Sequence, residues 1–474
     1  MAVRTIAAGG GNWNATATWM EGIVPILGDT VFAAVTSGQL TVNVASACTS
    51  INFTNYTNTL TMNATLSVGG NVTLVAAMTI AGTSALILTA NSTFTSNGKT
   101  LSGALTINAA LTITITDDLR ITGLLTFNGS ATQSCAITGL FNIYIGSAIT
   151  FVGAGYSVSG TATFLVTTTC TWTHNSTSYL INPLTINCVA NTLTFSTNGL
   201  RCGGGGTTTY LSGNIAGTKL ILITLSRVLN VSDMVWTSAT IQSGTVTLLS
   251  DWNIGSLTLS TTAVAINGSF NVNATNGLII SNSQPFTGTA TLNLLGGTWS
   301  TSFPAATNSI SIVLKGNVTI SGTVSKSGTL TYTSGKITTI GSTLAIIAAV
   351  TLIDMDKMTW NIVTVTAGTT LTMNKFFSGS PKQKTTIQSS TSGTVYTITF
   401  QDTFEKTAKF VKASDCSLTR KGQLLMLTPN SDKGGNSGIR YINQSPNGIA
   451  KNAPSIVNTM TSPAFGLVAD PCFY

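Results

Sequence analysis

The chain has 474 residues, carries a net charge of +8, and only 7% of its side chains are charged, against roughly a quarter in an average soluble domain. Its mean hydropathy is +0.37, yet the best apolar runs, such as Leu344–Leu352, are short and interrupted by Thr, so no stretch supplies the ~20 apolar residues of a spanning helix. A helical membrane protein is thereby excluded, and a charge-covered cytoplasmic enzyme is disfavoured. Thr, Ser, Asn and Gly give instead the neutral, hydroxyl-rich surface of a stiff object outside a cell.

The opening MAVRTIAAGGGNWN lacks the apolar core of a secretory signal, so the expectation is assembly without that export route. Residues 1–30 are predicted to be an N-terminal cap, because Trp13, Trp19, Ile23, Val24 and Pro25 make an aromatic, turn-rich plug. Some such cover is needed: an open solenoid end exposes strand edges and bare apolar columns.

From residue 31 the dominant signal is alternation with period two. Leu40-Thr41-Val42-Asn43 recurs as Leu60-Thr61-Met62-Asn63, and Leu105-Thr106-Ile107-Asn108 as Leu125-Thr126-Phe127-Asn128. Leu184-Thr185-Ile186-Asn187 and Leu371-Thr372-Met373-Asn374 are related strings. Each reads as a short strand, apolar on one face and Thr or Asn on the other. Recurrence at about 20 residues predicts stacked coils, hence an all-β parallel solenoid over residues 31–353. Leu40, Val42, Leu60, Met62, Leu105, Ile107, Leu125 and Phe127 should point inward. Outward Thr and Asn would form ladders, and charge is scarce because each charge would face its own copy about 4.8 Å away.

Candidate chemistry along this shaft is sparse. Asp117 and Asp118 are neighbours and would face opposite sides of a strand; Asp233 and Asp251 stand alone. His174, the sole imidazole, sits in Thr-Trp-Thr-His-Asn and reads as a loop residue beside an aromatic. Gly203–Gly206 lacks the Lys and Ser/Thr of a phosphate loop and reads as a corner. The seven cysteines (Cys48, Cys135, Cys170, Cys188, Cys202, Cys416, Cys472) are scattered and include no CxxC pair, which predicts buried free thiols, with no metal and no cofactor. Glycan hydrolysis needs two acids about 5–10 Å apart. The one pair worth testing is Asp354 with Asp356, with Lys357 beside them; a solvated turn between coils is the plainer reading.

Residues 354–443 form charged late coils. The segment from 354 to the end holds twelve basic and seven acidic side chains, against nine and six in residues 1–353. Its basic cluster of Lys406, Lys409, Lys412, Arg420 and Lys421 is a candidate contact surface for an anionic partner such as a host-surface glycan. No aromatics are interleaved with it, which disfavours nucleic acid. Residues 444–474 are a polar tail.

Two stretches resemble a known group. Gly11-Asn12-Trp13 through Trp19, followed by Val24-Pro25 and Gly28-Asp29-Thr30-Val31, is similar to the GNW…W…P…GD-V opening of parallel β-helix proteins of phage particles and bacterial surfaces. Gly379-Ser380-Pro381 through Gly393-Thr394, then Asn430-Ser431-Asp432-Lys433-Gly434-Gly435-Asn436-Ser437-Gly438, resembles that group's late coils and closing motif. Where the group usually ends on aromatics, Arg440-Tyr441-Ile442-Asn443 leads here into the polar tail. The resemblance implies a right-handed parallel β-helix in a virion or extracellular setting and carries no catalytic residues.

The expectation for function is therefore a non-enzymatic phage virion structural protein: a tail fibre, spike or capsid-surface decoration. It would associate with itself, as a homotrimer, and with other virion proteins, without membrane insertion. A bacterial extracellular adhesin or surface filament is the alternative, and a tailspike glycan depolymerase a further one.

Overall fold

The computed structural model describes residues 1–401 except 109, 130–133, 153–156, 175–177, 261, 282–284, 302–307, 340–341 and 380–383. Beyond these it describes 406–409, 411–418, 425–428 and 439–441. The protein is an all-β solenoid of about 17 turns, with 57% of residues in strands. Strands pair in parallel with their equivalents one coil away: Leu40 with Leu60, Leu105 with Leu125, and Leu125 with Ile149. The largest face is a 22-stranded parallel sheet. Three short strands per turn recur, as in Ser92–Thr95, Thr100–Leu101 and Leu105–Asn108.

The alternation sets this arrangement. All eight residues predicted to face inward are buried, none more than 6% exposed. Inside, equivalent side chains stack into continuous columns. Phe127 lies on Phe151 with ring centroids 5.3 Å apart, and Phe151 continues to Trp172 at 5.8 Å. Each buried aromatic or aliphatic side chain contributes about 1.5–3 kcal/mol relative to exposure. Outside, hydroxyl and amide ladders follow the same register. Thr95 and Thr116 share a hydrogen bond of 2.7 Å, and Thr114 and Thr138 one of 3.0 Å. Asn293 donates to Asn273 at 2.7 Å, and Asn273 to Asn253 at 2.9 Å.

The opening residues already belong to the first coil, since Val3–Thr5 pairs in parallel with Thr30–Phe32. The chain then turns back under that coil. Ala7 N–H donates to Thr18 O and Met20 N–H to Thr5 O, both at 2.8 Å, which covers the free strand edge. Trp13 and Trp19 close the core from below and are at most 2% exposed; Pro25 is also buried. Ile23 differs from expectation: it is 50% exposed and lies outside the plug. Asp29 fastens the loop by accepting from Arg4 Nε at 2.9 Å and from the N–H groups of Ala2 and Ile26. The Arg4 hydrogen bond holds its carboxyl below the usual range.

At the other end, stacking continues into the charged quarter. Ile362–Val365 pairs with Thr385–Ser389, which pairs with Val411–Ala413. Lys406–Lys409, Leu425–Thr428 and Ile439–Tyr441 form a further three-stranded parallel sheet.

Candidate functional site

Asp354 and Asp356 lie where a strand ends. Val350–Ile353 is followed by Asp354 in the left-handed conformation (φ 58°) and a single 3-10 turn, Met355–Lys357. Met355, Met358 and Trp360 anchor this turn in the core, leaving both carboxylates at the surface. One coil later, Asn374 Nδ2 donates to Asp354 Oδ1 at 2.9 Å, and Asp354 N–H donates to Asn374 Oδ1 at 2.8 Å. A cation that reaches both carboxylates is Lys375: its Nζ is 2.9 Å from Asp354 Oδ1 and 4.0 Å from Asp356 Oδ1. The Asp354 hydrogen bond, with Asp356 behind it, holds the Lys375 ammonium above its ordinary range. The structure thus brings the two predicted acids together as an ionic tie between coils. Hydrolysis would need one carboxyl to serve as a proton donor, whereas here both carboxyls face one ammonium.

Asp117, Asp118 and Asp251 make similar ties at corners. Asp118 and Asp117 sit in a bend between strands, so the strand-face argument does not apply to them. Asp117 accepts from Ser96 N–H at 2.8 Å; Asp118 accepts from Asn142 N–H at 2.9 Å. Asp251 takes Asn271 N–H at 2.8 Å in the same way. Asparagines repeat the device: Asn71 accepts from Thr93 N–H, and Asn91 from Thr112 N–H. Each tie satisfies a main-chain donor where the ladder lapses between strands, a group costly to leave unpaired when buried.

Of the predicted basic surface, Lys412 is half-buried on Val411–Ala413, beside Thr386 of the neighbouring coil. The main chain of Lys406 and Lys409 lies on one strand. Arg420 and Lys421 fall outside the described residues. Among the described residues, no three His, Cys, Asp or Glu side chains gather where they could hold a metal ion. The six described cysteines are buried. Burial pushes the thiols of Cys48, Cys170 and Cys416 up to about 12, which removes the thiolate that nucleophilic chemistry requires.

Three interior groups were not anticipated as such. His174 lies outside the strands beside aromatics, as expected, but in the core: it is 1% exposed and stacks on Phe151 with centroids 4.3 Å apart. Burial, aided by Arg201, depresses its pKa to about 3. Arg227 is 2% exposed and engages only neutral acceptors: Thr208 Oγ1 and the main-chain oxygens of Leu180, Ile181, Asn182 and Thr207. Gly206 makes room for it, because a Cβ there would collide with Arg227 Nη1 and the Ile181 oxygen. Lys326 is fully buried, with Nζ donating to the main-chain oxygens of Asn308 and Ile310 at 3.2 and 2.7 Å. Sequence parity carried a signal for two of these: Arg227 shares its side of the strand with Leu229, and Lys326 with Val324.

No family model, no curated protein and no solved structure matches the chain.

Proposed function

We propose that the protein is a non-enzymatic structural component of a phage virion, a shaft of the kind that forms a tail fibre, a spike or a capsid-surface decoration. One observation carries this reading. The polar side chains that could serve chemistry are engaged in holding coil to coil: Asp117, Asp118 and Asp251 bind donors of neighbouring coils, and Asp354 and Asp356 share Lys375. A molecule organised in this way supplies length and stiffness. The sequence resemblance to β-helix proteins of particles points in the same direction.

In this reading the neutral Thr and Asn faces pack side by side in a homotrimer, since little charge keeps chains apart. The plugged N-terminal end stops further stacking there. The charged late coils, Lys412 among them, contact the particle or an anionic glycan of the host surface. The reading involves neither nucleic acid nor membrane insertion; among the described residues, no helix is long and apolar enough to cross a membrane.

Antibody-gold labelling of infected cultures tests the proposal. Gold on free particles is the expected result. Gold on bacterial envelopes without particles would instead establish the adhesin or surface-filament reading.

A further inference from the structure

The solenoid interior is hydrocarbon almost throughout, which makes the pair formed by Lys326 and Asn308 conspicuous. Lys326 is inward on Thr323–Lys326, in the column that continues to Ile346 and Val365. Asn308 is inward one coil earlier, beneath the bridge it makes with Phe286, and is 1% exposed. The amine of Lys326 touches Asn308 through that residue's main-chain oxygen at 3.2 Å. Both polar atoms of the Asn308 carboxamide are buried and have no hydrogen-bond partner. The carboxamide is therefore not pinned, and it can rotate about its side-chain bonds without breaking an interaction. An orphaned buried amide costs about 1–3 kcal/mol, so its retention beside a buried amine needs a reason.

We infer that Lys326 and Asn308 form an intramolecular isopeptide bond, a covalent staple between successive coils inside the shaft. The step balances without any other reagent. Lys326 Nζ, as the neutral amine, attacks Asn308 Cγ and forms the new C–N bond. The bond from Cγ to Nδ2 breaks, one amine proton passes to the departing nitrogen, and ammonia leaves. Nothing is oxidised or reduced.

Three features favour the step. Burial depresses the Lys326 pKa to about 7, so the nucleophilic free base is well populated at neutral pH. The amine has no carboxylate in ion-pair contact among the described residues to hold it protonated. Ser327 N–H donates to Asn308 O at 2.8 Å, which holds the two segments side by side. Arg227 is the instructive contrast. It occupies an equivalent interior position, with Asn182 O as one acceptor, but a guanidinium does not deprotonate and cannot make this bond.

The product replaces a buried amine and an unpartnered carboxamide by one secondary amide. It also links chain positions that the unfolded state would otherwise leave free, as a disulfide does.

Intact mass spectrometry of the full-length protein, denatured after purification, tests the bond. The expected mass is lower than the sequence mass by one ammonia, and proteolysis should yield a branched peptide joining Lys326 to Asn308. In Lys326→Met the deficit should vanish. A native protein at full sequence mass would overturn the proposal. So would a deficit that persists in Lys326→Met, which would mark a cyclic imide at Asn308-Ser309 instead. Because the native protein decides the question on its own, a variant that fails to fold does not leave it open.

Discussion

Arg227 Nη1 donates to the main-chain oxygen of Ile181 at 3.0 Å, spanning the coil that lies between them. Its other donors reach Leu180, Asn182, Thr207 and Thr208, so a single side chain serves carbonyls of two successive turns. Arg227→Met should leave several of those neutral acceptors without this donor, although Leu180 O keeps Gly203 N–H at 2.8 Å, and should cost about 1–3 kcal/mol. Gly206→Ala should displace the guanidinium and also press on the main-chain oxygen of Ile181, at a cost of about 1–3 kcal/mol. Urea denaturation midpoints of the two variants and the double variant check this. The double variant should be less destabilised than the sum of the singles, because both disturb the guanidinium contacts, yet more than Arg227→Met alone, because the contact with Ile181 O remains.

Trp19 Nε1 donates to Trp13 O at 2.8 Å, and the two rings meet edge to face at 5.2 Å. Trp19→Ala should cost about 3–5 kcal/mol at the first coil, while Trp19→Phe, which keeps the ring and loses the donor, should cost about 1 kcal/mol. Each coil contacts mainly its neighbours, so the damage should stay local. Amide exchange should accelerate over residues 3–32 in Trp19→Ala and remain unchanged over residues 235–259.

His174 supplies the pH dependence. Its ordinary pKa is 6.5 and burial lowers it to about 3 in the folded protein. The unfolded chain therefore binds the extra proton between those values and the native chain does not. Stability from this group is complete above pH 6.5 and declines as the pH falls toward 3. The whole effect is on the order of 5 kcal/mol. His174→Phe, which extends the stack on Phe151, should flatten the fall in melting temperature between pH 6.5 and 4 relative to the parent protein. An identical fall in both proteins would contradict this role.

At the Asp354 tie the account predicts small effects. Lys375 is 46% exposed at its side chain and Asp354 34%, so the ion pair is screened and contributes about 0–1 kcal/mol. Asp354→Asn, which tolerates the left-handed backbone, should lower the denaturation midpoint only slightly. Asp354→Val should cost about 1–2 kcal/mol more, because a β-branched residue is strained there. Incubated with host-surface polysaccharide, the parent protein and the Asp354→Asn/Asp356→Asn double variant should both release no new reducing ends. Release by the parent that the double variant lacks would make this pair catalytic.

The parallel coils were legible because alternation and a 20-residue step are properties of residue type alone. Leu40 over Leu60 and Leu105 over Leu125 follow directly from the strings. The polar architecture was harder to read. Asp118 and Asp251 look like isolated acids until the coil places Asn142 and Asn271 one turn away, since the number of residues per turn varies. Arg227 and Lys326 were overlooked because a charged residue in an alternating strand reads as solvent-facing. Only the neighbouring coils reveal the carbonyls that hold them. His174 reads from sequence as a loop residue beside Trp172, but its burial depends on Phe151, which only the preceding coil supplies.

The central claim, a structural shaft carried on a virion, is tested most directly by cryo-electron microscopy of gradient-purified particles. About 17 turns at ~4.8 Å per turn give a rod of roughly 80 Å. The account predicts rods of that length on the particle, grouped about a three-fold axis, into which the solenoid fits as a rigid body. Particles with no such density and no peptides of this chain, alongside the protein recovered from bacterial envelopes, would contradict it.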